Sequence, residues 1–138
     1  MQNINILGRL MKDISVLEKA NFSNAYNDEI YRMGVIGQFN LTFELSWKAL
    51  QAVMRLHGVN GAEIGSPREI LKLGYANGFI EDSEVWLLML SKRNENIHIY
   101  DDKAIDELIV MIRDSFIPAF RKLAEILKTK IDEVGEGF

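Results

Sequence analysis

The chain has 138 residues, 48% of them hydrophobic and 26% charged, and carries a formal net charge of −4. That fits one globular domain with one core and excludes a molecule that binds polyanions over its whole surface. It has no cysteine, which excludes disulfides, zinc–thiolate sites and thiol nucleophiles and accords with a reducing, cytoplasmic setting. No apolar run is long enough to span a bilayer, and Met1 to Asn5 lacks the basic start and apolar stretch of a signal peptide. The expected organisation is a single domain over residues 1–138, with 132–138 as a frayed tail.

Helical periodicity dominates from the start. Ile4, Leu7, Leu10, Met11, Ile14 and Leu17 recur at three- and four-residue steps and form one apolar stripe. An Asn- and Ser-rich break follows around Asn21 to Asp28. A second helix is expected from about Asp28 to Leu56, with Ile36, Phe39, Phe43, Trp47, Leu50 and Met54 on one face and Gly58 as a left-handed cap.

Asn60 to Gly65 reads as a loop. Ser66-Pro67-Arg68-Glu69 is the sharpest helix start in the chain: Ser66 caps, Pro67 suits the first helical position, and Glu69 closes a capping box. This short third helix ends at Asn77-Gly78. Asp82 caps a fourth through Val85 to Leu90, apolar nearly all round and therefore expected to be central, ending between Asn96 and Tyr100. A fifth begins near Asp101-Asp102, acidic residues suited to the positive end of a helix dipole. Its stripe runs through Ile105, Leu108, Ile109, Ile112, Phe116, Phe120, Leu123 and Leu127, and Pro118 inside it predicts a kink. There is no alternating strand pattern and no internal repeat. The fold class is all-α: an up-and-down bundle of four long helices and one short one.

Chemistry concentrates in Arg93-Asn94-Glu95-Asn96-Ile97-His98-Ile99-Tyr100, just past the apolar run and holding one of only two histidines. An arginine offers a planar fork of donors for phosphate oxygens, and an imidazole titrates near neutrality and acts as acid or base. Asn94 can orient the imidazole or hold phosphate, and Tyr100 can donate a hydrogen bond or accept a modification. On an ideal helix Arg93 and His98 stand roughly 140° apart, so the pair converges at a helix end beside a groove. The plain structural alternative is that these residues cap carbonyls and pair with Asp101 or Asp102. Lys92, Arg93, His98 and Lys103 could form a local basic patch, against which the carboxylates of Glu95, Asp101 and Asp102 compete for donors.

Arg93-x4-His98-x-Tyr100, with Asn94 after the arginine, resembles the Arg-x4-His-x-Tyr signature of the HEPN superfamily. Phe43-Glu44-Leu45-Ser46-Trp47-Lys48, Ser66-Pro67-Arg68-Glu69 and Trp86 to Leu90 narrow this to a resemblance to the nucleotidyltransferase substrate-binding subunit family, covering the chain from the first helix to about Leu127. The resemblance implies a homodimer that places two motif copies around one cleft, and a partner: a minimal nucleotidyltransferase encoded by a neighbouring gene. It implies nucleotide or RNA binding through Arg93, Asn94, His98 and Tyr100. Arg93 and His98 would be the catalytic pair if the chain is instead a metal-independent ribonuclease toxin neutralised by that partner, with Tyr100 as the modification candidate. No cofactor and no metal is expected. A purely structural helical module is the third reading.

Glu44 and Lys48, four apart in the favourable order, read as an intrahelical pair that could also line the groove. Trp47 and Trp86 fall on apolar stripes and read as core, with a place in the groove wall left open. His57 reads as a helix C-terminal cap, and Asp13, Glu18, Glu81 and Glu84 as solvated faces or caps.

Overall fold

Asp28 shows how local chemistry starts the longest helix. Its side chain accepts hydrogen bonds from the backbone N–H groups of Ile30 (2.9 Å) and Tyr31 (3.1 Å), two donors that the first helical turn leaves without carbonyl partners. The structure, a computed structural model, describes residues 2–94 and 101–135. Its helices are α1 (Gln2–Glu18), α2 (Asn24–Asn27), α3 (Glu29–Leu56), α4 (Pro67–Ala76), α5 (Ser83–Asn94), α6 (Asp102–Met111) and α7 (Ile117–Gly135), with a π-helical turn, Ile112–Phe116, joining the last two.

The arrangement is the all-α bundle read from the sequence, with α4 as its short member. Buried Leu7, Leu10, Ile14 and Leu17 set α1 against α3 and α7. Gly58 (φ +70°) and Gly78 (φ +78°) end α3 and α4 in the left-handed region that costs glycine nothing. At Ser66 the capping box is complete: Ser66 Oγ accepts from Glu69 N–H at 3.2 Å, and Glu69 Oε1 accepts from Ser66 N–H at 3.1 Å. These contacts, the backbone one first, hold the Glu69 carboxyl below its usual range. Asp101 repeats the device on α6, accepting from Ala104 N–H at 3.1 Å.

The core is an aromatic cluster shared by α3, α5, the π-helical turn and α7. Phe39 stacks on Phe116 (5.2 Å between centroids) and Trp86 meets Phe120 edge-on (5.6 Å). Phe43 lies tilted against Trp86 at 6.2 Å. Gly74 lets α4 approach α3, because a Cβ there would stand 2.9 Å from a methyl of Leu50.

Four expectations change. The break at 21–28 contains the turn α2, anchored by buried Ala25. Residues 132–135, expected to fray, continue α7. The fifth helix, expected as one element with a kink at Pro118, is divided into α6 and α7 by the π-helical turn, where Ile117 N–H reaches back five residues to Ile112 O. This wide turn falls just ahead of the proline, where an N–H is missing anyway. α5 is not buried all round, because Trp86, Met89 and Leu90 face inward while Leu88 is 39% exposed. Its expected end, between Asn96 and Tyr100, lies outside the described residues. Among the described residues no helix is long and apolar enough to cross a membrane.

Candidate functional site

The bundle brings Arg93, in the last turn of α5, onto Glu44 in the middle of α3. Arg93 Nη2 and Glu44 Oε1 form a close ion pair, with side chains 34% and 30% exposed. Both are screened by protein on one side and reachable from solvent on the other. The other carboxylate oxygen, Glu44 Oε2, accepts from Trp47 Nε1 at 3.1 Å and lies 3.9 Å from Lys48 Nζ. Lys48 Nζ sits 5.9 Å from the Trp47 ring centroid, within reach of the ring's negative face.

Four of the seven expected binding residues therefore meet: Arg93, Glu44, Trp47 and Lys48. Glu44 is their hub, and the Lys48 pair read from spacing is secondary to the pair with Arg93. Trp47 is half-buried and polar-bonded, a correction to its reading as core, whereas Trp86 is core at 1% exposed. Asn94 closes α5, but its side chain, like the whole of Glu95, His98 and Tyr100, lies outside the described residues. The meeting of Arg93 with His98 therefore lies outside them too.

Beside the ion pair is a groove of about 410 Å³ lined by Glu44, Ser66, Pro67, Arg68, Leu90 and Arg93. That volume falls within the roughly 300–1,000 Å³ of small-ligand sites. Its far wall is the first turn of α4. Sequence reasoning saw Ser66-Pro67-Arg68-Glu69 only as a helix start and missed its place here, although that tetrad already stood out among the family-like strings. Arg93 Nε is buried without a hydrogen-bond partner among the described residues, and Arg68 is exposed. Among the described residues, two guanidinium groups and one carboxylate thus line the groove.

The neighbouring carboxylates are committed elsewhere. Asp101 caps α6, while Asp102 and Asp106 lie 3.6 and 3.4 Å from Arg32 Nη1 on α3. Within the expected basic patch, Lys103 is exposed and Lys92 half-buried. Glu18 and Glu81 are exposed, as expected of solvated faces, and also form ion pairs with Arg121 and Lys122 of α7. His57 does close α3, and its Nε2 also stands 2.7 Å from the Lys130 carbonyl, tying α3 to α7. Among the described residues no group of three or more His, Cys, Asp or Glu is placed to hold a metal ion. A larger groove of about 550 Å³ between α1 and α3 is mostly apolar, lined by residues such as Val16, Ile30, Val35 and Gly34. Of its polar lining, Tyr31 and Gln38 already bond to the backbone of Asn21 and Asp13, which leaves Lys19 as its one charged group among the described residues.

Compared with known families, residues 6–129 match the family model described as nucleotidyltransferase substrate binding protein like. A search of the curated proteins gives no match.

Proposed function

The chain belongs to the nucleotidyltransferase substrate-binding-protein-like family, and from that premise we propose that it is the nucleotide-binding subunit of a two-component system with a minimal nucleotidyltransferase. The observation that carries the reading is the Arg93 guanidinium, anchored by Glu44 at the side of a groove large enough for a small ligand. An arginine so held presents a preorganised fork to phosphate oxygens and loses little freedom on binding. In this reading Asn94, His98 and Tyr100 complete the ligand's surroundings from the adjoining segment, and Tyr100 is the residue the partner would modify.

The carboxylate on Arg93 favours holding a ligand over cleaving one. A ribonuclease that stabilises transition-state charge with this arginine would have Glu44 opposing it. Co-purification with the product of the neighbouring gene, followed by calorimetric titration with AMP and ATP, tests the proposal. The expected result is a stable complex and nucleotide binding that Arg93→Ala abolishes. No complex, or binding indifferent to Arg93→Ala, refutes it. RNA cleavage in the presence of chelator that is lost in both Arg93→Ala and His98→Ala would install the ribonuclease reading in its place.

We place a homodimer contact on the outer face of α3. Ile30 (85% exposed), Met33, Gly34, Gly37 and Leu41 (62% exposed) share that face, and it carries no charge from Ile30 to Leu41. Gly34 and Gly37 have nothing within 4 Å of where a Cβ would stand. Each costs a helix interior about 1 kcal/mol relative to alanine, a cost that close approach of another helix would explain. In an antiparallel pairing Gly34 of one copy lies opposite Gly37 of the other, and Ile30 opposite Leu41, so the patch is self-complementary as a twofold contact must be.

A further inference from the structure

The first turn of α4 contributes two groups to the groove that the family motif around Arg93 does not contain. We propose that Arg68 and the Ser66 hydroxyl form the second wall of a phosphate site, so that a nucleotide's terminal phosphate monoester is held between Arg68 and Arg93. This deepens the nucleotide-binding reading above and rests on it.

The argument is a count of hydrogen-bond donors. Ser66 Oγ already accepts from Glu69 N–H, which leaves its own O–H to donate. Arg68 lines the groove with no hydrogen-bond or ion-pair partner among the described residues. Arg93 gives Nη2 to Glu44, while its buried Nε has no acceptor among the described residues. Against these donors the groove offers one carboxylate among the described residues, and that carboxylate already accepts from Arg93 and Trp47. A lining with surplus donors and net positive charge recognises a ligand rich in acceptors and negative charge. A phosphate monoester supplies three terminal oxygens and close to two charges near neutral pH. Two guanidinium groups on opposite walls suit it better than one, because each can take a separate pair of oxygens. Leu90 and Pro67 add apolar surface for the rest of a nucleotide.

The cap and the ligand contact can be separated by mutation. Arg68 is exposed and has no ion-pair partner among the described residues, so Arg68→Ala should leave the melting temperature unchanged. Ser66→Asp keeps a good helix N-cap but sets a carboxylate against the phosphate. Titrating the full chain with AMP, adenosine and the dinucleotide ApA gives the readout. The expected results are AMP affinity about tenfold weaker in Arg68→Ala and partly restored in Arg68→Lys, which keeps the charge but not the fork. Ser66→Asp should weaken AMP with no loss of thermal stability, and adenosine should bind weakly and equally to all variants. Lys128→Ala, on an exposed position of α7, should change nothing. If Arg68→Ala binds AMP as the parent does while Arg93→Ala does not, the second wall is wrong and the nucleotide reading stands. If ApA binds more tightly than AMP, the monoester assignment fails. If the parent binds none of the three ligands, both go.

Discussion

Replacing Glu44 by Gln tests whether the carboxylate holds Arg93 ready for a ligand or is itself part of the ligand contact. Gln keeps the shape, and its one amide oxygen can still accept from Arg93, while the bond from Trp47 Nε1, made to the other carboxylate oxygen, is lost. The larger change is charge. For unit charges about 4 Å apart the Coulomb term runs from about 1 kcal/mol in water to about 4 kcal/mol at a surface-like dielectric. With both side chains roughly one-third exposed, the low end applies, and the net loss of stability should be about 1 kcal/mol. With an unfolding entropy of about 2.1 cal/mol/K per residue, that lowers the melting temperature by roughly 3–4 °C. Binding should move the other way. A dianionic phosphate roughly 6 Å from Glu44 is repelled by about 1.4 kcal/mol even in water, so removing the charge should tighten AMP about tenfold. Melting followed by circular dichroism and calorimetry at low and physiological salt measure the two effects, and the gain in affinity should shrink as salt rises. If Glu44→Gln binds AMP more weakly than the parent at an unchanged melting temperature, the carboxylate touches the ligand. The competition argument is then wrong.

Other expectations follow from the same contacts. Phe39→Ala removes a fully buried ring stacked on Phe116 and should cost about 3–5 kcal/mol, a fall of roughly 10–15 °C in melting temperature; a loss below about 1 kcal/mol in a denaturant titration would contradict the core assignment. Leu41→Glu should convert the dimer to a monomer in sedimentation while leaving the helical spectrum intact, and a dimer that survives it places the contact elsewhere. Replacing Gly34 and Gly37 by Ala should weaken self-association yet stabilise the separated chain by up to about 2 kcal/mol, whereas stability gained with no loss of association means that no helix packs there. Glu69 has its carboxyl lowered on folding, so its ionised form adds stability above the ordinary glutamate range. That contribution is lost as pH falls through the lowered value. Glu69→Gln should therefore differ most from the parent near neutrality and converge with it in acid, and parallel melting curves from pH 7 to 3 would refute the linkage.

The legible part of this molecule is its local chemistry. Asp28 and Ser66 announce helix starts because a cap acts on amides two or three residues away, and Gly58 and Gly78 announce ends because their φ is a property of one residue. The stripe from Ile105 to Leu127 was readable as a single helical face. The π-helical turn inside it was not, because a proline in a helix signals only that the hydrogen-bond ladder must yield. The candidate site was legible as a set of residue types but not as a set of contacts. Spacing paired Glu44 with Lys48 one turn away, whereas packing pairs it with Arg93 from another helix, a contact that no local pattern encodes. Ser66 and Arg68 were hidden for a different reason: a complete explanation as a helix start left no residue over to suggest a second role.

The anchors of the motif segment place the groove relative to the proposed dimer contact. At its start Arg93 is fixed to Glu44, and at its finish Asp102 lies against Arg32. Both anchors belong to α3, on either side of Gly37 and Leu41 along the helix. At about 1.5 Å per residue they stand roughly 18 Å apart, so the segment leaves α3 near one end of the apolar stripe and returns near the other. A twofold axis between Gly34 and Gly37 would cross α3 about 5 Å from Arg32 and about 13 Å from Glu44 along the helix. In a dimer formed on this face Glu44, on the same side of α3, lies beyond one end of the contact, whereas Arg32 stands about 160° around the helix and faces away from it. Closing α3 on α3 in this register keeps the two Arg93–Glu44 pairs roughly 25 Å apart along the paired helices. The homodimer on this face and the shared cleft that the resemblance implied are therefore two separate proposals.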